Sequence, residues 1–386
     1  MNKPFTFTGA KKIVFGVGSF DSLPDHIREL KAGRPLVVLD KNLAGAGLGE
    51  KVQKLLQQGD FKATLFDQKV EAEPRLEVAD EGAKAAIKGK SDIIVGIGGG
   101  SAMDVAKAVS VLAANKGKAV DYLGLDKVPG PGLPKIMVPT TAGTGSEVTF
   151  TSVFVRQNLK KKEGMNSPYL YPELALLDPA LTLTLPPTAT ASTGIDALCH
   201  AIESYTSINA SPISEMISLE AIALISANLR TCVHDGANLE AREQMLLGSL
   251  YAGLGLANAG VTAVHSLSYP LGGKYGISHG LANTILLPYV MSFNLPGALE
   301  KFAVIAEVMG EVTDGLPVRE AAYLAVEAVQ SLIEDCGVYT TLEDLNIPEE
   351  DFPELAKVAM TVARPLANNP RKVTMEDAIE IYGEAY

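Results

Sequence analysis

Cysteine is scarce in this chain, occurring three times in 386 residues, at Cys199, Cys232 and Cys336. The three are odd in number, far apart and contain no CxxC pair. That excludes a disulfide framework and fits a reducing, cytoplasmic setting. Cys199 adjoins His200, but neighbours on a helix point about 100° apart. It therefore reads as a small buried thiol rather than a nucleophile or ligand.

Positive charge is also in short supply. Thirty-three Lys and Arg against 45 Asp and Glu leave a formal charge of −12. A nucleic-acid partner needs a basic face, so none is expected. Lys160-Lys161-Lys162 is a local exception and reads as a solvated loop. The opening MNKPFTFTGAKKIVFG lacks the apolar core of a secretion signal. Between Glu243 and Lys274 lie 30 residues without Asp, Glu, Lys or Arg. A membrane span needs about 20 mainly apolar residues, but this run is rich in Gly, Ala, Ser and Asn and carries His265 and Pro270. It reads as packed core helix plus loop, and no membrane is expected.

What the chain does have is bulk and apolar content. Its length predicts two domains, and 47% hydrophobic with 20% charged residues suits a large buried interior. In the first half, residues 5–15 alternate as a hairpin would. Arg34-Pro-Leu-Val-Val-Leu-Asp40 is a short apolar run ending in an acid. A helix is expected near 47–58, a strand at 63–66, a helix at 75–89, a strand ending in Gly98-Gly99-Gly100-Ser101, and a helix over 103–114. Such alternation predicts a parallel sheet with helices on both faces.

The glycines at 98–100 let the backbone turn sharply and a phosphate approach, with Ser101 and the following helix N–H groups facing it. The spacing is not GxGxxG, and a Gly-rich turn after a strand serves equally as a tight connection. A second loop, Pro139-Thr-Thr-Ala-Gly-Thr-Gly-Ser-Glu147, follows another apolar run and gathers hydroxyl and N–H donors. Two donor-rich loops at strand ends fit one shared ligand, since open α/β sheets bind ligands there. Asp40, at a third strand end, suits a carboxylate on a ribose diol and disfavours a 2′-phosphate, hence NAD over NADP.

After Pro186-Pro187 helical spacing dominates, so the boundary is placed there, giving domains 1–187 and 188–386. Thr193-Gly-Ile-Asp-Ala-Leu-Cys-His-Ala-Ile-Glu-Ser-Tyr205 reads as a helix, in which Asp196 and His200 share a face one turn apart. That is half of a metal site, although the same pair is common on solvated helices. A helix, a Gly-rich turn and a second helix starting near Gly280 would fold His279 back beside His265. Each histidine alone also reads as a core residue. Three histidines and one Asp suit Fe²⁺ or Zn²⁺ better than Mg²⁺ or Ca²⁺. His26 and His234 read as surface residues.

The ordered motifs GGGSAMDVAK (98–107), PTTAGTGSEVT (139–149), DPALTLTLPP (178–187), GIDALCHAIESY (194–205) and SHGLANTILLPYVMSFN (278–294) make the chain resemble the iron-containing (group III) alcohol dehydrogenases nearly end to end. The resemblance implies a Rossmann-like α/β dinucleotide-binding domain followed by an all-α metal-binding domain, with the active site in the cleft between. It implies metal ligation by Asp196, His200, His265 and His279. It also implies NAD(P) contacts by Asp40, Gly98, Gly99, Ser101, Asp104, Thr140, Thr141, Thr144 and Ser146, and by Lys162 across a stretch of unusual spacing. Tyr269 stands where many members carry a second histidine. With a reference pKa near 10 it suits hydrogen-bond donation better than base catalysis. Ser278 replaces a usual proline. The expected activity is reversible oxidation of a small primary alcohol to its aldehyde by a homo-oligomer, dimer or larger. The rivals are a glycerol dehydrogenase-like polyol oxidase, a dehydroquinate synthase-like lyase, or a binding protein without turnover.

Overall fold

In a computed structural model of the chain, which describes residues 4–45, 47–67, 69–157 and 161–386, two compact units separate. One comprises residues 9–141 and 145–183. The other comprises 142–144 and 184–386 together with the residues up to Thr8.

The central strands of the first unit, Pro35–Leu39 and Ile93–Gly98, are short, apolar and buried throughout, which is what a sheet covered on both faces requires. Among the described residues the strands are Ile13–Phe15 (β1), Pro35–Leu39 (β2), Thr64–Phe66 (β3), Ile93–Gly98 (β4), Gly124–Leu125 (β5), Lys135–Pro139 (β6), Thr151–Arg156 (β7), Lys161–Asn166 (β8) and Leu174–Leu177 (β9). Six form one parallel sheet in the order β1-β9-β6-β4-β2-β3. β5, β8 and β7 form a small mixed sheet. The helices are Leu23–Glu29 (α1), Lys41–Gly45 (α2), Leu48–Gln58 (α3), Leu76–Gly89 (α4) and Gly100–Ala114 (α5).

Alternate residues of β2 serve opposite cores. Leu36 and Val38 join α4 and α5 on one face, and Val37 and Leu39 join α1 and α3 on the other. The Rossmann-like expectation is borne out. The hairpin over 5–15 is not, because Ile13–Phe15 is an edge strand running parallel to β9. Alternation over so few residues marks an extended chain but carries no information about its partner.

The second unit is helical: Pro187–Thr206 (α6), Pro212–His234 (α7), Leu239–Ala259 (α8), Ala263–Tyr275 (α9), His279–Asn294 (α10), Leu299–Val308 (α11), Val318–Asp335 (α12), Phe352–Ala359 (α13), Ala363–Asn368 (α14) and Met375–Glu384 (α15). α6 is its axis, packed by α7, α8 and α10. Pro187 is tolerated because it sits in the first turn, where its missing N–H has no helical partner to lose. The helix therefore begins well before Gly194, the start its apolar spacing suggests.

The charge-free run becomes most of α8 and most of α9, bent by 102° at the break between them. α7 is long and apolar enough to cross a membrane by length and composition. Its Ala221, Ile222, Ile225 and Leu229 are instead fully buried in the bundle. His234 closes α7, with Nε2 2.9 Å from the Asp335 carbonyl. His26 is in α1, 3.1 Å from Glu29.

Candidate metal centre and cofactor loops

Three helices bring four ionisable side chains together. α6 presents Asp196 and His200 from successive turns, α9 presents His265 from its first turn, and α10 opens with His279. One ligand atom from each lies within 4.8 Å of all the others. The Nε2 atoms of His200 and His265 are 3.0 Å apart. Asp196 Oδ1 is 3.8 Å from Nε2 of both His200 and His279. Asp196, His200 and His265 are each at most 3% exposed. The connection runs through Gly276, whose φ of 70° is a left-handed turn that suits glycine.

Two residues missed in the sequence complete the cluster. Glu203 faces Nδ1 of His265 through one carboxylate oxygen. Its other oxygen accepts 2.8 Å hydrogen bonds from Thr262 Oγ1 and from the Val264 amide. A carboxylate at Nδ1 holds the proton there and turns the Nε2 lone pair toward the cluster. Asn283 donates through Nδ2 to Asp196 Oδ1 at 2.7 Å, and the same nitrogen is 3.2 Å from His265 Nε2 and 3.3 Å from His279 Nε2. The lone pairs thus converge where an electropositive partner is needed. Both residues had a readable signal: Glu203 is seven after Asp196 and Asn283 four after His279, so each shares a helix face with a cluster member.

The electrostatics suit a cation. Burial pushes the Asp196 carboxyl up, but His200, His279 and His265 together with the Asn283 amide outweigh it and hold it down at about 2. Burial lowers the pKa of His200, against the pull of Asp196, so the imidazole is neutral and able to ligate near neutral pH. Three imidazoles and one carboxylate form the N/O donor set that Fe²⁺ and Zn²⁺ accept, so the residues fit a divalent transition metal. Tyr269 stands beside them, its ring 6.5 Å from that of His265 and 6.0 Å from that of His279. Cys199 is fully buried, and burial with nearby Glu203 and Asp196 raises its thiol well above the usual range.

In the first unit, β4 ends at Gly98 and α5 begins two residues later. Gly98 has φ 146°, and a Cβ there would stand 2.8 Å from that of Ala102, so glycine is required twice over. The Gly98 carbonyl accepts from the Thr140 amide at 3.0 Å, joining the two donor loops where they start. Thr140 and Ser146 are buried, and Thr141 packs beside Gly99. Ser101 Oγ accepts from the Glu73 amide at 3.3 Å.

Not every predicted contact is free to meet a ligand. Asp40 follows β2 as expected, but its Oδ1 accepts from the amides of Asn42 and Leu43 at 2.8 and 3.4 Å. Asp104 takes Ser146 Oγ at 2.6 Å on one oxygen and the Val153 amide at 2.8 Å on the other. Lys162 lies in β8 rather than a solvated loop. Its side chain is 4% exposed and paired with Glu73 at 2.6 Å. Lys160 lies outside the described residues.

Comparison with known proteins identifies the family and the fold. A family model described as iron-containing alcohol dehydrogenase matches residues 10–179, and the C-terminal model of the Fe-containing alcohol dehydrogenase family matches residues 190–386. The chain belongs to the iron-containing alcohol dehydrogenase family. It is 41% identical to long-chain-alcohol dehydrogenase 1 of Geobacillus thermodenitrificans over 96% of this chain and 94% of the relative. A crystal structure of 1,3-propanediol oxidoreductase superposes with a TM-score of 0.96 at 36% identity, covering all of both chains. Sulfoacetaldehyde reductase from Bifidobacterium kashiwanohense, solved in complex with NAD⁺, gives 0.89 at 31% identity over 100% of this chain and 99% of that one.

Proposed function

We propose that this enzyme, an NAD-linked alcohol dehydrogenase of the iron type, interconverts a small primary alcohol and its aldehyde. The convergence of Asp196, His200, His265 and His279 carries the reading. These four would hold Fe²⁺, and the same donors accept Zn²⁺. When bound, the metal supplies a Lewis acid that lowers the pKa of an alcohol hydroxyl and polarises a carbonyl, typically worth several kcal/mol, and NAD supplies the hydride acceptor.

The chain's own groups do the rest. Glu203 keeps the proton of His265 on Nδ1, and Asn283 fixes Asp196. Tyr269 offers a hydroxyl for hydrogen bonding to substrate oxygen. Gly98, Gly99, Ser101, Thr140, Thr141, Thr144 and Ser146 are assigned to the cofactor's phosphates and nicotinamide half. Asp40 is assigned to a ribose hydroxyl, and Asp104 and Lys162 support the same ligand. In this reading residues 1–187 serve the cofactor and 188–386 the metal. The three unpaired cysteines support a cytoplasmic location, and the active form is a homo-oligomer.

Enzyme purified without oxygen should oxidise NADH in the presence of short aldehydes, lose turnover on chelation and regain it with Fe²⁺. The panel should extend to a long-chain aldehyde, given the relative named above. Unchanged NADH-dependent turnover after complete metal removal would contradict the proposal.

A further inference from the structure

Lys107 lies on α5, two turns beyond the glycines that end β4, and it is fully buried. A buried ammonium is costly unless every donor is engaged. Here Nζ meets the Ser146 carbonyl at 3.0 Å, Thr149 Oγ1 at 3.2 Å, the Thr151 carbonyl, and Asp104 Oδ1 at 3.2 Å. Three of these oxygens belong to the end of the second donor loop and the strand that follows it. Asp104 extends the network by accepting from Ser146 Oγ and the Val153 amide. A single cation on the helix behind the first donor loop therefore gathers the backbone and hydroxyls that end the second. Neither Lys107 nor this bracing follows from a direct ligand contact, since the side chain is sealed from solvent.

We infer that Lys107 is a positioning residue for the cofactor, setting the second donor loop against the start of α5 so that both present their donors to one ligand. This rests on the reading that the two loops bind NAD. Burial lowers the ammonium's pKa, and Asp104 with Glu147 opposes that shift.

The test is NADH affinity by fluorescence titration on full-length, iron-loaded enzyme, with iron content and melting temperature measured on the same samples. Lys107→Met removes the cation and keeps the stem. Thr149→Val removes one ligand of Nζ and keeps the charge. Lys107→Met should raise the NADH Kd at least tenfold and raise KM for the cofactor more than it lowers kcat, with iron content unchanged. Thr149→Val should raise the Kd about threefold and lower the melting temperature by less than Lys107→Met does. If Lys107→Met does not fold, Thr149→Val decides alone. Folded variants that bind NADH as the parent does would overturn the inference, even if their melting temperatures fall. Ser101→Ala and Gly98→Ala, run alongside, separate the two levels. If they weaken NADH binding while the Lys107 and Thr149 variants do not, only the positioning role fails. If none of the four weakens it, the cofactor reading fails too.

Discussion

Glu203 is where the proposed metal centre would depend on a residue behind its ligands. Its carboxylate sits on Nδ1 of His265 and is itself held by Thr262 and Val264. Replacing such a partner typically costs 10–100-fold in metal affinity. Glu203→Gln should therefore weaken iron retention by about that factor, read by competition with a chelator, while NADH binding holds. Unchanged retention would remove Glu203 from the centre. Glu147 is a second buried acid, and burial raises its carboxyl to about 7 despite its own backbone N–H and Lys107. The folded state then binds the extra proton between the ordinary value of 4.5 and 7. The stability this gives is fully present below pH 4.5 and lost as pH rises through 7. Glu147→Gln mimics the protonated form. Its advantage in stability should be small at pH 5 and grow to about 3 kcal/mol at most by pH 8, at 1.36 kcal/mol per pKa unit. Melting curves across that range check it, and a constant gap would contradict it.

At the scale of elements, the strand–glycine–helix junction makes a specific demand on the backbone of the first unit. Gly98 combines a φ of 146° with a site where an added Cβ would stand 2.8 Å from that of Ala102. Gly98→Ala should destabilise the protein by about 2 kcal/mol in denaturant titration and weaken NADH binding at least tenfold. Parent-like values for both would show that the turn is not under strain. This junction was legible because glycine after an apolar run has few purposes. The α6 helix was legible too, since apolar spacing and the i, i+4 pair point the same way. Less legible was anything resting on a distant partner. The run Ile13–Phe15 pairs with Ala175–Leu177 from the far end of the unit. Lys162 looks solvated in a basic run until Glu73 is placed beside it.

For the molecule as a whole, alternation of strands and helices gives way to helices alone, and the change is written in the side-chain periods. Short β-branched runs need both faces covered, and the period near 3.6 after Pro187 needs a bundle. The four clustered side chains were readable as a set because two sit one turn apart and two flank a glycine-rich stretch. Glu203 and Asn283 do share a helix face with Asp196 and His279, but that spacing is common for polar residues on solvated helices and gains meaning only once the residues opposite are known. On the proposed reading the two units carry separate tasks, cofactor and metal, so removing one metal ligand should separate them. The direct measurement is iron content of the parent and of His265→Ala, both purified without oxygen, with NADH affinity taken on the same preparations. The parent should hold about one iron per chain and His265→Ala almost none, without turnover, while the two bind NADH with Kd values within about twofold of each other. A His265→Ala enzyme that keeps its iron and its activity would contradict the metal centre described here.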